Sequence, residues 1–206
     1  MIAVNIEKKL KTYGGQQVLK IAGEFAVGSI TKIHGPSGAG KTTFLKIIAG
    51  LISTEKGLIK FDAETWLDTD KSIDLSPQQR QTGFVFQDYA LFPNMTVLGH
   101  LQYATYDTAW IARLLALGKL EAFADHKPIH LSGGQQQRLA ILRALANKPR
   151  LLLMDEPFSA LDKQTKASFI AGLKEIFGQL GTTVLIVSHN LQELEALDGV
   201  EMYIWG

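Results

Sequence analysis

Ile2, Val4 and Ile6 alternate with small or polar neighbours at the start of the chain, which predicts a strand with one buried face. VLKIAGEFAVGSITKIHG continues as short β-like runs broken at Gly23 and Gly28, so an antiparallel β-layer leads into a strand over SITKIHG. The period then changes. In KTTFLKIIAGL the apolar positions Phe44, Ile47, Ile48 and Leu51 recur at helical spacing, and Gly50 is placed to end that helix. GLIKFD and GFVFQ read as two further strands, separated by a polar, turn-rich stretch from Asp68 to Arg80. From Asp88 to about Pro149 β-branched runs are scarce and patterns such as TAWIARLLALGKL predict a helical insertion. RLLLMDEP and TTVLIVSH are apolar throughout, as strands are when helices cover both faces of a parallel sheet. A helix over DKQTKASFIAGLKEIFGQL lies between them, and a short helix over NLQELEALDG follows.

These elements predict one α/β domain over residues 1–206, with a core from 1–87 and 149–206 and a helical subdomain over 88–148. Composition removes several alternatives. A formal net charge of +1 gives no electrostatic case for a nucleic-acid partner. The absence of cysteine excludes disulfides and thiolate metal sites. No apolar run approaches the ~18–20 residues of a membrane span, and the first residues lack a signal-peptide core. A soluble, cytoplasmic chain is expected, touching a membrane only through a partner.

GPSGAGKT, from Gly35 to Thr42, fits a phosphate loop and lies between a predicted strand and a predicted helix. The loop of Gly35, Pro36, Ser37, Gly38, Ala39 and Gly40 would bind phosphates, its glycines letting backbone amides curl around them, with Thr43 in the first helical turn. Lys41 would reach the β- and γ-phosphates and Thr42 would hold Mg²⁺. RLLLMDE ends an apolar strand with Asp155 and Glu156, which a turn at the strand end can aim into one crevice. Asp155 suits a place behind the ligands of Mg²⁺ or a contact to it through water, and Glu156 suits orienting or deprotonating a water that attacks the γ-phosphate. A second anion-seeking helix start lies in HLSGGQQQRLAILRALANK, where Ser132 can cap the helix and Gly133 and Gly134 leave amides bare. His34, His100, His126 and His130 lack metal-ligand spacing and read as surface or packing residues. Leu139, Leu142 and Leu145 read as the core face of the helix after LSGGQ.

GPSGAGKT, LSGGQ, LLLMDEP, SALD and VSH stand in the order and spacing of the ATP-binding cassette (ABC) ATPases, and the chain resembles that family over essentially its whole length. The resemblance implies a P-loop NTPase (RecA-like) core with a parallel sheet, an N-terminal antiparallel β subdomain and an inserted helical signature subdomain. It implies ATP and Mg²⁺ as ligands, and two copies packed head to tail. Ser132, Gly133, Gly134 and Gln135 of one copy would then meet the γ-phosphate held by the other. By matching position, Tyr13 resembles the aromatic that stacks on adenine. Gln87, at the end of the strand GFVFQ, resembles the glutamine that senses Mg²⁺ and the attacking water. His189 resembles the histidine that contacts the γ-phosphate, and Ser159 to Asp162 the loop that aligns the two sites.

FQDYALFPNMTVLGHLQYA resembles the segment of importer ATPases that receives a permease helix, with Leu91, Phe92, Met95 and Val97 suited to a cleft. ETWLDTDKSIDLSPQQRQTGFVFQD is similar to molybdate importer ATPases, although Gly99-His100 stands where those more often have Gly-Asn. The implied protein is a transport ATPase peripheral to the cytoplasmic face of the cell membrane. Its partners are a second copy, a multi-span permease and, indirectly, a substrate-binding protein, with no nucleic acid. The alternative is a soluble cassette ATPase with a regulatory or assembly role.

Overall fold

The computed structural model describes residues 1–12 and 15–205, and at 11, 12, 15, 16, 191 and 193 the backbone alone. β1 (Ile2–Thr12) pairs antiparallel with β2 (Gly15–Phe25), and β3 (Ile30–His34) leads into α1 (Lys41–Ile48). β4 (Lys56–Phe61), β5 (Glu64–Asp68) and β6 (Ile73–Asp74) complete an antiparallel sheet ordered β2-β1-β4-β5-β6. After α2 (Pro77–Arg80) and β7 (Gly83–Val85), three helices occupy the insertion: α3 (Val97–Gln102), α4 (Thr108–Gly118) and α5 (Gly133–Ala146). β8 (Leu151–Asp155), α6 (Lys163–Leu180), β9 (Thr183–Val187) and β10 (Val200–Tyr203) follow, giving a parallel sheet ordered β10-β3-β9-β8-β7.

The continuous apolar strands behave as their pattern requires. Along β8, Leu151 and Leu153 enter one core while Leu152 and Met154 enter the other. β9 alternates likewise, Leu185 and Val187 against Val184 and Ile186. One core lies between the parallel sheet, α1 and the antiparallel layer, and the second lies against α3 to α6. Each fully buried aliphatic side chain contributes roughly 1.5–3 kcal/mol. The central strands therefore hold their C-terminal ends, where the site forms, between two buried cores.

α1 stops as expected near Gly50, with the Leu51 amide returning to the Lys46 carbonyl (2.8 Å). Its last carbonyls are claimed by Arg80, whose Nη1 donates to Ile47 and Ile48 O at 2.8 Å each while Nη2 donates to Asp74 (2.8 Å). A guanidinium that is almost wholly buried is tolerated because its donors are matched in this way.

Three expectations need correction, and one strand has none. β2 runs unbroken through Gly23, because its eleven-residue pairing with β1 supplies the backbone bonds that a lone glycine cannot disrupt. The stretch from Asp68 to Arg80 is preceded by β5, whose Trp66 and Leu67 are buried, and contains β6 and α2. NLQELEALDG forms a single 3-10 turn, Leu191–Leu194. β10 carries only a short pattern, VEMY, and is made a strand by pairing with β3.

Candidate functional site

Gly40 caps α1 with φ 87°, a left-handed backbone that a side chain would strain, and no side chain caps the helix in its place. The amides of Lys41, Thr42 and Thr43 therefore have no protein acceptor among the described residues. Lys41 folds back across this open end, its Nζ donating to Gly35 O (2.9 Å) and Pro36 O (2.8 Å). Burial pulls the Lys41 pKa down, while Glu156 and Asp155 oppose that shift. Thr42 Oγ1 donates to Asp155 Oδ2 at 2.7 Å, joining the start of α1 to the end of β8.

Asp155 is the last residue of β8 and faces α1, like Leu153 before it. Glu156 then adopts φ 50°, a left-handed conformation that costs a non-glycine residue about 1–2 kcal/mol. This reversal is what brings two successive carboxylates to one crevice. The Glu156 amide donates to Val187 O (3.0 Å) at the end of β9. Its Oε1 is buried with no hydrogen bond, and His189 Nε2 lies 3.5 Å away. Burial raises the pKa of both carboxyls: the Thr42 hydroxyl opposes the shift at Asp155, and His189 opposes it at Glu156.

These groups line a cavity of about 540 Å³ that takes in Ser37, Gly38, Gly40, Lys41, Thr42, Thr43, Gln87, Asp155, Glu156 and His189. Leu10 and Val187, which no motif pointed to, supply apolar wall. Gly35 enters through its carbonyl under Lys41, as does Pro36. Ala39 is buried behind the loop. Tyr13 lies outside the described residues. Gln87 is placed as expected at the cavity, but it follows β7 instead of ending it, since pairing with β8 stops at Val85. An adjoining depression of about 570 Å³ shares Thr42, Gln87 and Asp155 and reaches Asp88 and Ala90.

The arrangement suits a polyphosphate. Free amides and an ammonium face the same space, and the helix start favours negative charge. Among the described residues no group of three or more His, Cys, Asp or Glu is placed to hold a metal ion. Thr42, Asp155 and Gln87 offer a few hard oxygen atoms, the partial set with which Mg²⁺ binds beside phosphate oxygens and water. The unmatched Glu156 Oε1 can accept a proton or orient a water.

Ser132, Gly133, Gly134 and Gln135 do not line this cavity. They form the start of α5, where Ser132 Oγ accepts from the Gln135 amide (3.3 Å) and Gln135 Oε1 accepts from the Ser132 amide (2.8 Å). The Gly133 and Gly134 amides have no acceptor among the described residues. Within the predicted loop from Ser159 to Asp162, Ala160 and Leu161 pack against this turn: a Cβ on Gly134 would come within 3.1 Å of Ala160 O and 3.4 Å of Leu161. Gln137, which motif reading passed over, is buried there and bonds to Glu156 O, Ser159 and Ala160.

The segment after Gln87 is fastened from α5 and α3. Tyr89 and Ala90 have φ 65° and 45°, and Arg143 donates to both carbonyls. His100 is fully buried, as a packing residue: Nδ1 donates to Thr96 O (2.7 Å) and Nε2 accepts from the Phe92 amide (2.9 Å), which fixes the neutral tautomer. Burial correspondingly lowers its pKa. Phe92 remains 40% exposed above this frame, beside Leu91 and Met95, while Val97 is buried.

Comparison with known proteins agrees with this geometry. A family model described as ABC transporter matches residues 18–159. The molybdenum import ATP-binding protein ModC of Haemophilus ducreyi is 38% identical over 196 residues, covering 94% of this chain and 55% of the relative. The probable sulfate/thiosulfate import ATP-binding protein CysA of Chlorella vulgaris is 37% identical, covering 93% of this chain and 83% of the relative. The chain thus spans about half the length of the ModC relatives it matches. Among solved structures, the dimeric bacterial ABC transporter cassette MJ0796 superposes with a TM-score of 0.81 at 33% identity, over 100% of this chain and 94% of that one. The family model covers well over half of the residues and the fold matches throughout, so the chain belongs to the ABC transporter family.

Proposed function

We propose that the chain is the ATP-hydrolysing subunit of a membrane importer, acting as a head-to-tail pair. The observation that carries this reading is the convergence, in one cavity, of the open α1 amides, Lys41, the Thr42–Asp155 pair and the unmatched Glu156 Oε1. On this reading Lys41 exchanges its two loop carbonyls for phosphate oxygens of ATP. Thr42, Gln87 and Asp155 hold Mg²⁺, which supplies charge neutralisation at the phosphates. Glu156 orients the attacking water and takes its proton, a task suited to a carboxylate made more basic by burial. His189 stands beside it at the γ-phosphate, and Tyr13 is the residue assigned to stack on adenine. Ser132 to Gln135 of the second copy close the site, and Ser159 to Asp162 align it. Residues 1–87 with 149–206 then form the nucleotide-binding core, and 88–148 the helical part that meets a permease through the Leu91–Val97 surface.

The names of the ModC and CysA relatives support import, with molybdate or a related oxyanion as cargo. No helix among the described residues is long and apolar enough to cross a membrane. The reading places the chain against a multi-span permease at the cytoplasmic face, as the import names of the relatives support. Phosphate release from ATP with Mg²⁺, measured with the purified chain and with membranes from cells expressing it, tests this. Hydrolysis together with recovery on a multi-span membrane protein is expected. Hydrolysis by a chain that never associates with membranes would overturn the import assignment and favour a soluble regulatory or assembly role.

A further inference from the structure

The carboxylate that faces the cavity is aimed by a backbone conformation with few natural supports. Glu156 sits at φ 50°, and its amide is anchored on Val187 O at 3.0 Å. Its carbonyl is held from the other side. Gln137 Nε2 donates to Glu156 O (3.1 Å) and to Ser159 Oγ (3.1 Å), and Ser159 Oγ donates to the same Glu156 carbonyl (3.2 Å). Gln137 Oε1 accepts from the Ala160 amide at 2.9 Å. Every polar atom of this side-chain amide is therefore spent on residues 156 to 160, and the residue is 1% exposed. A buried amide satisfied on all sides specifies one arrangement, since any shift leaves a donor or acceptor unmatched.

Resting on the functional reading above, we infer that Gln137 is a positioning residue for hydrolysis: it holds the left-handed backbone of Glu156, and so the aim of its carboxylate, to the first turns of α5. Gln137 does not line the cavity; it acts through Glu156. The same helix begins at Ser132, so the turn that would cover the partner's ATP and the carboxylate that serves the chain's own ATP share one rigid support. A displacement of α5 is carried to Glu156 O directly, through one side chain.

The test compares Gln137→Met, which keeps the volume and removes the bonds, with Gln137→Glu, which keeps the acceptor for Ala160 and donates to Glu156 O only when protonated. Steady-state ATP hydrolysis and binding of a fluorescent ATP analogue are measured for both beside the wild type. Gln137→Met is expected to lower kcat about 10- to 100-fold, the scale of a small misplacement of a reacting group, with KM and analogue Kd within about two-fold. Relative to the wild type at each pH, Gln137→Glu should lose kcat as the pH rises and its carboxyl ionises, whereas Gln137→Met should stay flat. Ser159→Ala, a change at an exposed residue that leaves the direct Gln137 bond in place, gives a smaller loss. A Gln137→Met chain that turns over at the wild-type rate overturns the inference, as does loss of analogue binding in parallel with kcat. If Gln137→Met does not fold, Gln137→Glu carries the test, and a kcat relative to the wild type that does not change with pH overturns the inference. Absence of hydrolysis by the wild type would instead strike the functional reading itself, and this inference with it.

Discussion

α1 and α5 both begin at glycine-rich turns, yet their first amides are arranged in opposite ways. At α1 the cap is Gly40, no side chain intervenes, and the amides of residues 41 to 43 open onto the cavity. At α5 the cap is Ser132, and a reciprocal pair of bonds with Gln135 has already matched two amides within the turn. The first start leaves three amides open at the cavity, whereas the second has two amides matched within its turn and leaves those of Gly133 and Gly134 open away from that cavity. On the proposed reading, the α1 start encloses phosphate and the α5 start covers phosphate held by another copy.

The sharpest way to break this comparison is at the enclosing start. Lys41→Ala should weaken nucleotide binding and lower the hydrolysis rate by about 10²–10³, as loss of an oriented charge donor commonly does. Glu156→Gln should reduce phosphate release on a similar scale while a fluorescent analogue still binds. At the covering start the pattern should divide differently. Ser132→Arg should lower turnover at least ~10-fold yet leave the chain's own analogue Kd within about two-fold, because Ser132 does not line the cavity of its own chain.

Stability offers a finer contrast. Gly40→Ala places a side chain at φ 87° and within 3.0 Å of Leu19, which should cost about 1–2 kcal/mol in chemical denaturation. Ser132→Ala removes a cap and should cost about 1 kcal/mol, a fall in Tm of roughly 2–4 °C for a domain of this size. Ser132→Gly should cost only a few tenths of a kcal/mol.

A last contrast depends on pH. Burial raises the Glu156 pKa in the folded chain, so the folded state binds more protons than the unfolded one across the interval above the ordinary carboxylate value. Its contribution to stability is present below that value and is lost as pH rises through the folded pKa. Glu156→Gln should therefore melt higher than the wild type at neutral pH, with the gap closing as the pH falls below the ordinary glutamate range.

Much of this was legible in sequence because the residues act through backbone geometry that their types encode. GPSGAGKT announced both the bare amides and Lys41, and the unbroken apolar run of β8 announced a strand end delivering Asp155 and Glu156. What escaped reading has a common physical cause. β5, β6 and β10 owe their existence to neighbouring strands, and short segments without periodicity carry no local signal for that pairing. Gln137 looked like one more polar residue in a run of three glutamines, Gln135 to Gln137. Only the packing of Ser159 and Ala160 against the first turns of α5 shows that the third of them faces inward. His100, likewise, is distinguished by what surrounds it: Thr96 and Phe92 take both ring nitrogens, and no spacing rule contains that information.

A mixing experiment reaches the central claim most directly. Chains carrying Lys41→Ala and chains carrying Ser132→Arg are each assayed alone for phosphate release, then combined in equal amounts. If the α1 start of one copy and the α5 start of another build a single site, both pure samples are nearly inactive. The mixture then regains about a quarter of the wild-type rate, since about half of random pairs are mixed and each holds one intact site. A mixture that stays as inactive as its components, while both variants still associate with wild-type chains, would contradict the account.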